Sequence, residues 1–337
     1  MKKRPKILVV GSFVMDLIVS TEKFPNSGET VLGKSFRTAS GGKGANQAVQ
    51  AARLGAEVTM VGKVGNDDFG KSLIHSCTES GIYTEFIAVD PEVSSAVGNI
   101  ILETGENEAA KNRIIVVSGA NMTITTQDVF FLKDTVSQYD MVILQHEIPV
   151  SVNETVAKYA FDKGVPVMLN PAPSAPISEE LLACLTYLSP NEHEAADLTG
   201  IRIGKDGSAV NQDELKQAVN SLLSKGVKNV VITLGNSGAV VASPKEFIYQ
   251  PCVDATEVKD PTAAGDSFVG AFTTGVCAGL SHCEALTFAN YTATLTVSRM
   301  GAQPSLPTLQ EVIDLMKQKN QFGLEYSLLD TLQAGLY

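Results

Sequence analysis

Short apolar runs alternate with stretches of helical periodicity along most of this 337-residue chain. The runs are rich in β-branched residues and too short for helices, which predicts buried strands. Strands that alternate with helices form a mostly parallel sheet with helices on both faces, so we expect an α/β fold. The predicted strands are 6–10, 57–64, 141–144, 165–169, 187–188 and 230–234, and the predicted helices are 46–54, 151–163, 213–225, 267–280 and 283–299.

Two stretches interrupt this alternation and predict a second, smaller sheet. Residues 21–38 mix turn residues with short alternating segments, which indicates an antiparallel excursion, and 94–102 with 113–117 indicate a hairpin with a charged tip. Polar residues such as 12–16 follow the main strands at their carboxyl ends, where open α/β sheets bind ligands. We expect a single domain over 1–337, with a β-lid from about 17–40 and 94–118 covering that edge.

Composition limits the classes of function. The formal net charge is −11, which argues against a nucleic-acid partner and against an anionic membrane surface. No stretch of the sequence approaches the ~20 apolar residues of a membrane span. The five cysteines form no CxxC pair, and the four histidines show no ligand spacing. We expect a cytoplasmic protein with reduced thiols and without a structural metal site.

The segment Asp260–Gly270, DPTAAGDSFVG, predicts an anion-binding turn at the start of a helix. Ala263, Ala264 and Gly265 have almost no side chain, so an anion can approach their amides closely. Unpaired N–H groups and the helix dipole make such a turn suitable for phosphate. Because a carboxylate repels an anion, we interpret Asp266 as a general base for a hydroxyl that attacks phosphorus. The alternative is that Asp266 caps the helix.

A second glycine turn opens a predicted helix at 40–55, SGGKGANQAVQAARLG. Lys43 and Asn46 are placed there to donate hydrogen bonds to a polar ligand. The alternative is ordinary packing at a helix start, with Lys43 in solvent.

Residues 65–72, GNDDFGKS, fit the phosphate loop G-x4-G-K-[ST] of Walker-type NTPases, between a predicted strand and a helix. Asp67 and Asp68 would place carboxylates beside phosphate oxygens, at a cost of about 1 kcal/mol or more per close contact. Phe69 adds bulk where such loops are small. A Walker-type NTPase is therefore a distant alternative.

The motifs at 41–55 and 260–270 together resemble the two signatures of the ribokinase/pfkB family of carbohydrate kinases. Further similar segments are GSFVMD at 11–16, SGAN at 118–121, NPAP at 170–173, NEHEAADLTG at 191–200, TLGNSG at 233–238 and GAQPS at 301–305. The resemblance covers about residues 6–310. It implies phosphoryl transfer from ATP to the 5-hydroxyl of D-ribose, a requirement for Mg2+, activation by K+, and a homodimer through the β-lid.

The resemblance also implies roles for particular residues. Asp266 would be the base, and Ala263, Ala264 and Gly265 would supply an anion hole. The sugar would be held by Asp16, Gly42, Lys43, Asn46, Glu147 and Asp266. ATP would contact Asn191, Glu194, Thr233, Gly235, Gly238, Gly265 and Asn290, with Glu194 closing an N-x-x-E motif that influences binding of Mg2+ and phosphate. The activating cation would take oxygens, mainly backbone carbonyls, from Asp260, Thr262, Thr296, Arg299, Gly301 and Ser305.

Structural alternatives exist for four of these residues. Asp16 and Glu147 could cap nearby helices as strand-end carboxylates. Asn191 and Glu194 also form the sequence pattern of a capping pair.

Two residues depart from the family pattern. Many members carry Asn at the position of Val14, which cannot hydrogen-bond a sugar hydroxyl, and a buried unpaired hydroxyl costs about 1–3 kcal/mol. Val14 therefore leaves 2-deoxyribose, or another pentose or a nucleoside, as an alternative acceptor, unless it only packs at the strand end. Pro261 stands where the family usually has Thr. It fixes φ and removes an N–H, which bears most directly on activation by K+.

The last residues, 322–337, lie outside the resemblance and carry the apolar residues Leu328, Leu329, Leu332 and Leu336. We expect this tail to pack on the domain or on a partner subunit.

A catalytically silent sugar-binding protein on the same fold is a third functional alternative, although the base and the anion hole are both present.

Overall fold

The computed structural model describes residues 4–103, 111–207, 209–254, 256–319, 321 and 326–333. The strands are β1 (Lys6–Val10), β2 (Val14–Thr21), β3 (Ser35–Gly41), β4 (Glu57–Gly65), β5 (Tyr83–Asp90), β6 (Val97–Glu103), β7 (Lys111–Val117), β8 (Met141–Gln145), β9 (Val167–Asn170), β10 (Tyr187–Leu188), β11 (Lys205–Asp206), β12 (Ala209–Val210), β13 (Asn229–Thr233), β14 (Ala239–Ser243) and β15 (Glu246–Gln250). The helices are α1 (Lys43–Arg53), α2 (Asp68–Glu79), α3 (Leu132–Thr135), α4 (Val150–Asp162), α5 (Glu179–Cys184), α6 (Glu192–Thr199), α7 (Gln212–Ser224), α8 (Ala264–Ala278), α9 (His282–Val297), α10 (Leu309–Gln318) and α11 (Tyr326–Gln333).

The main sheet has nine strands in the order β15-β14-β13-β10-β9-β8-β1-β4-β5. All neighbouring pairs from β13 to β5 are parallel, and β14 and β15 continue the sheet as antiparallel strands. Side chains of β1 enter two apolar clusters in turn: Ile7 and Val9 belong to one, Leu8 and Val10 to the other. Burial on both faces explains the continuous apolar runs in the sequence, and the predicted α/β class is confirmed.

Helix α1 begins at Lys43 because the chain turns sharply at Gly42. Gly42 has φ 94°, and a Cβ on it would lie 2.7 Å from the backbone nitrogen of Val14. A residue with a side chain would therefore be both strained and in collision. This packing brings the first turn of α1 against the segment that follows β1.

A second sheet has the strand order β3-β2-β6-β7, with β2 parallel to β6 and the two outer pairs antiparallel. We call these four strands the lid sheet. The predicted hairpin is confirmed as β6 and β7, and residues 104–110 of its predicted charged tip lie outside the described residues. The segment 12–16 is split between the two sheets. Ser12 follows β1, whereas Asp16 lies on β2 of the lid sheet.

The C-terminal helix α11 packs on the rest of the chain. Of the two predictions for the tail, this is the one in which it packs on the domain. Leu329 and Leu332 are fully buried in the core cluster that contains Ile7. Residues 322–325 and 334–337, including Leu336, lie outside the described residues, as does the side chain of Leu328. Among the described helices, none combines the length and the apolar character that a membrane span needs.

Candidate active site

Three cavities meet at the start of α8, along the carboxyl edge of the main sheet. The lid cavity, about 350 Å³, lies between the lid sheet and α8, and the central cavity, about 220 Å³, lies at the ends of β9, β10 and β13. The outer cavity, about 320 Å³, lies between the end of β13 and α9. Lys43 and Asp266 line both the lid and central cavities. Thr233 and Gly265 line both the central and outer cavities.

Asp266 stands at the junction of the lid and central cavities, and its carboxylate is held by α1. Its Oδ2 accepts from Asn46 Nδ2 at 2.9 Å, and its Oδ1 accepts from Gln47 Nε2 at 3.0 Å. The side chain is 7% exposed. The N-cap of α8 is Ala263, and within the described residues the Asp266 carboxylate accepts from side chains of α1 and from no backbone N–H. The alternative in which Asp266 serves only as a helix cap is therefore wrong.

The first turn of α8 presents free backbone amides to the cavities. Ala263 has φ 60°, and it is the one residue other than glycine with a positive φ in the described part of the chain. Within the described residues, the amides of Gly265 and Asp266 have no hydrogen-bond acceptor. A Cβ built on Gly265 would meet nothing within 4 Å. This turn is an open, electropositive cradle for an anion.

The lid cavity gathers all six residues predicted to hold the sugar: Asp16, Gly42, Lys43, Asn46, Glu147 and Asp266. The carboxylate of Asp16 fits between Gly41 and Gly98 of the neighbouring strands, where any Cβ would come within 3 Å of its oxygens. It has no hydrogen-bond donor among the described residues. Burial, together with the nearby carboxylates of Glu147 and Asp260, raises the pKa of Asp16 to about 7.

Glu147 has a structural role in addition to lining the lid cavity. Its Oε2 accepts from the hydroxyl of Ser12 at 2.5 Å and from the backbone N–H of Lys43 at 2.9 Å. Glu147 therefore caps α1 from outside the helix, where Gly42 has no side chain to do so. Asp16 makes no such cap with the part of the chain that the structure describes.

The ammonium group of Lys43 lies among three carboxylates. Burial opposes its charge, but Asp266, Glu147 and Glu194 outweigh this effect and raise the pKa of Lys43. A lysine that lines both cavities and stays charged can neutralise anionic oxygens between them. The alternative of Lys43 in solvent is therefore wrong.

The central cavity is polar, and its floor is the start of α6. Asn191 Oδ1 accepts from the N–H groups of His193 and Glu194, and Glu194 Oε2 accepts from the N–H of Asn191. The two residues thus form the capping pair that the sequence allowed as a structural role, while both also line the cavity. Burial raises the pKa of Glu194, against the opposing effects of the Asn191 N–H and of Lys43.

The outer cavity is mostly apolar. The predicted residues Thr233, Gly235, Gly238, Gly265 and Asn290 line it, and Phe268 and Val297 add apolar surface. Asn290 Nδ2 donates to the carbonyl of Pro251 at 3.2 Å, which fixes its amide at the wall.

Residues predicted for a monovalent cation fall into two groups. Asp260, Thr262 and Gly301 line the lid cavity, and Asp260 accepts from the N–H groups of Thr262 at 2.9 Å and Gly301 at 2.8 Å. The structure places Thr296, Arg299 and Ser305 outside the linings of the three cavities. The side chain of Thr296 bonds Ser267, Arg299 pairs with Glu311, and the Ser305 hydroxyl donates to the carbonyl of Ala302.

The loop at 65–72 does not present a phosphate cradle. Asp67 accepts from the N–H of Gly70 at 2.7 Å and also from Ser95, so a carboxylate already occupies the start of α2. Lys71 is exposed and pairs with Asp68. The geometry therefore does not support the Walker-type alternative.

Comparison with known proteins decides the family. A model of the pfkB family carbohydrate kinases matches residues 4–309. The chain belongs to this family. It is 39% identical to Bacillus subtilis ribokinase over 310 residues, which cover 92% of this chain and 99% of that protein. It is 38% identical to Schizosaccharomyces pombe ribokinase over 315 residues, 91% of this chain and 96% of that one.

Solved structures of the family agree with the fold. Arabidopsis thaliana ribokinase, complexed with ribose and ATP, has a TM-score of 0.83 to this chain at 34% identity. The match covers 94% of this chain and 99% of that one. Thermotoga maritima ribokinase has a TM-score of 0.81 at 32% identity, covering 92% and 99%. The resemblance inferred from the two glycine motifs is thus confirmed for the family and its ribokinase-like fold.

Sequence reasoning did not identify Gln47, Asn170 and Ser189 as residues of this kinase site. Asn170 and Ser189 line the central cavity, and the Ser189 hydroxyl is buried without a hydrogen-bond partner in the described residues. Asn170 is the last residue of β9 and Ser189 follows β10, so the strand-end rule was the signal that pointed to them. Gln47 had a weaker signal, a glutamine on the buried face of a helix.

Proposed function

We propose that this chain is an ATP-dependent sugar kinase that phosphorylates the 5-hydroxyl of D-ribose to give ribose 5-phosphate. The position of Asp266 carries the proposal, because its carboxylate lies where the lid cavity meets the central cavity. A hydroxyl held in the lid cavity and a phosphoryl group in the central cavity would meet beside this one carboxylate. Family relatives named ribokinase, one of them complexed with ribose and ATP, support the same pair of substrates.

The lid cavity contains acceptor oxygens that lack hydrogen-bond donors in the described part of the chain, and the hydroxyl groups of a sugar could donate to them. Asn46 Oδ1 is buried without a partner in the described residues, and the Asp16 carboxylate likewise accepts no hydrogen bond there. An acceptor that is buried without a partner costs free energy, so a polyol hydroxyl that donates to Asn46 Oδ1 would be bound with a gain, and another hydroxyl could donate to the half-buried carboxylate of Asp16. The residues we assign to sugar binding are therefore those predicted from the sequence.

The remaining residues divide the work of phosphoryl transfer. The outer cavity would take the nucleoside, and the central cavity would take the phosphates beside Lys43 and the amides of Gly265 and Asp266. The amides and Lys43 would stabilise charge on the transferred group, and Asp266 would accept the proton of the attacking hydroxyl. Because a sugar hydroxyl is a weak nucleophile, positioning and charge neutralisation supply most of the rate.

Mg2+ would enter with the nucleotide rather than bind in a cage of side chains. In the part of the chain that the structure describes, no group of three or more His, Cys, Asp or Glu residues could hold a metal. Mg2+ commonly binds one or two carboxylates together with substrate phosphates and water. Glu194, beside Asn191 on the central cavity, is the carboxylate we assign to it. The ion would neutralise phosphate charge.

We also propose activation by K+ at the loop around Asp260. The predicted ligands in this loop, Asp260, Thr262 and Gly301, would offer oxygen atoms, and Asp260 would offer a carboxylate. Oxygen ligands of this kind suit a hard cation. Burial alone would raise the pKa of Asp260, but hydrogen bonds from Thr262 and Gly301 and the charge of Arg37 lower it. Pro261 does not prevent the turn, since the N–H of Thr262 still reaches Asp260. Equal activity in K+ and in tetramethylammonium would contradict this assignment.

We propose that the chain forms a single kinase domain over 1–337. We also propose that two copies of the chain form a homodimer through the lid sheet. Ile114 and Val116 line the lid cavity, whereas Phe36, Ile115 and Val117 lie on the opposite face and are 50–68% exposed. Apolar side chains in such a patch are typical of an interface. A monomeric mass by light scattering would contradict the dimer.

All five cysteines are free, which supports the proposed cytoplasmic location.

The test of the proposed function compares D-ribose with 2-deoxy-D-ribose as acceptors. ADP release with ATP, Mg2+ and K+ is expected to give the higher kcat/KM with ribose. Val14 lines the lid cavity and is 6% exposed, which favours 2-deoxyribose as the second candidate. A preference for deoxyribose would make Val14 a specificity residue. Activity with neither sugar would overturn the assignment of ribose and direct the search to other pentoses and nucleosides.

Ribose binding is expected to strengthen as pH rises from about 6 to about 8, since donors favour an ionised carboxylate. The pKa of Asp16 is about 7, so the free protein is largely protonated there at pH 6, and ribose must displace that proton. The KM for ribose should therefore fall with rising pH, and calorimetry in two buffers should detect proton release near pH 7. Asp16→Asn should raise this KM and abolish its pH dependence. A pH-independent KM in the wild type would contradict the role of Asp16.

A further inference from the structure

We propose that Gln47 is a positioning residue for Asp266, an inference that rests on the proposed function. Gln47 lies on α1 next to Asn46 and is fully buried, 0% exposed. It does not line any of the three cavities. It would act on the reaction through the carboxylate that it holds.

The side-chain amide of Gln47 has all of its hydrogen-bonding groups engaged. Its Nε2 donates to Asp266 Oδ1 at 3.0 Å and to Asn170 Oδ1 at 3.1 Å. Its Oε1 accepts from Gln145 Nε2 at 2.8 Å. Turning the amide over would set its carbonyl against the oxygens of Asp266 and Asn170, so the network allows one orientation.

This contact determines which oxygen of Asp266 is available for proton transfer. Oδ1 is held by Gln47 toward the ends of β8 and β9, where Gln145 and Asn170 lie. Oδ2 lies beside Asn46, which lines the lid cavity. We therefore assign Oδ2 as the oxygen that receives the proton of the sugar hydroxyl. A neutral amide orients the carboxylate without adding a charge to the site.

The same amide connects the base to the wall of the central cavity. Asn170 receives one N–H of Gln47 and donates its own Nδ2 to the carbonyl of Ser189 at 2.8 Å. Asn170 and Ser189 both line the central cavity. One buried side chain thus fixes the base relative to the place where the phosphoryl group would lie, and small errors in this geometry are costly.

The test compares Gln47→Met with Gln50→Met. Gln50 is a matched control because it lies on the same helix, is equally buried, and donates to the carbonyl of Pro307 at 3.0 Å rather than to the site. We expect Gln47→Met to lower kcat about 10–100-fold, with both KM values within about threefold of wild type. Gln50→Met should lower the melting temperature similarly and keep kcat within about twofold of wild type.

A third variant separates hydrogen bonding from packing. Gln47→Glu keeps the shape of the side chain, but its carboxyl group would either repel the Asp266 carboxylate when ionised or share a proton with it when protonated, so its kcat should fall at least as far as that of Gln47→Met. A kcat near wild type in Gln47→Glu would overturn the inference. Equal losses of kcat in Gln47→Met and Gln50→Met, or a loss confined to KM, would also overturn it.

A spectroscopic measurement keeps this inference separate from the proposed function. If the wild type does not phosphorylate ribose, the proposed function fails, but the side-chain amide protons of Gln47 still report the contact by NMR. We expect one of these resonances to shift toward higher field in Asp266→Ala, where the acceptor is gone. An unchanged resonance would overturn the inference, whatever the activity of the wild type.

Discussion

Asp266→Asn is expected to lower kcat with ribose and ATP by about 10²–10⁴-fold, the range that general base catalysis contributes. The substitution keeps the size of the side chain but removes its capacity to accept a proton. Both KM values should change by only a few fold, because the cavities keep their shape. ADP release measured at saturating ribose and ATP gives kcat directly.

The control for Asp266→Asn is Lys71→Ala, which removes the lysine that the Walker-type alternative requires. Lys71 is exposed, and its ammonium pairs with Asp68 at 2.9 Å. Lys71→Ala should leave kcat within about twofold of wild type, as is usual for surface changes. Loss of turnover in Lys71→Ala with full activity in Asp266→Asn would reverse the assignment and favour an NTPase that uses 65–72.

Six strands of the main sheet, β1, β4, β8, β9, β10 and β13, were predictable because burial on both faces leaves a simple pattern in the sequence, whereas β5, β14 and β15 were not predicted. Strand β1 spans the predicted residues 6–10, and β8 extends the predicted 141–144 by one position to Gln145. The starts of α1 and α8 were less predictable. They lie at Lys43 and Ala264, whereas the periodicity placed them at 46 and 267. Glycine is a poor helix former, so a helix that includes glycines in its first turn is hidden from propensity.

The local shape of the anion cradle was not predictable in the same way. The small residues at 263–265 predicted a close approach to the backbone, and the structure has that space at Gly265. Nothing in the identity of Ala263 indicated φ 60°, because alanine avoids this region in isolation. Neighbouring structure must impose such a conformation, and strained residues of this kind concentrate at functional sites.

Contacts between distant parts of the chain were the least predictable part of the site. The Gln47–Asp266 hydrogen bond joins residues 219 positions apart, and its two residues lie in two separate motifs. The motifs indicated a shared function, but not which side chains touch. Asp16 shows the same limit. Its placement on the lid sheet, next to Gly41 and Gly98, depends on strand pairing that one sequence does not specify.

Gly265→Val is expected to lower kcat/KM for ATP by about 10²–10³-fold, because its side chain would block access to an amide donor and loss of one such donor typically costs this much. A Cβ at this position meets nothing within 4 Å, so the folded chain can accept the first carbon of a side chain there without collision. The added methyl groups would instead occupy the space from which a phosphate approaches the amides of Gly265 and Asp266. The melting temperature should stay within a few degrees of wild type, because replacing glycine in a helix has a small effect of either sign.

Gly270→Ala provides the opposite case on the same helix. A Cβ on Gly270 would lie 2.9 Å from the carbonyl oxygen of Gln47, so this variant should lose stability. The two variants therefore separate two reasons for glycine in α8. Gly265 leaves space for a ligand to approach the amides, and Gly270 allows α8 to pack closely against α1. Thermal unfolding and initial rates of ADP release, measured on both variants, give the two quantities. Full activity in Gly265→Val would mean that phosphate does not rest on this turn, and the assignment of the central cavity would fail with it.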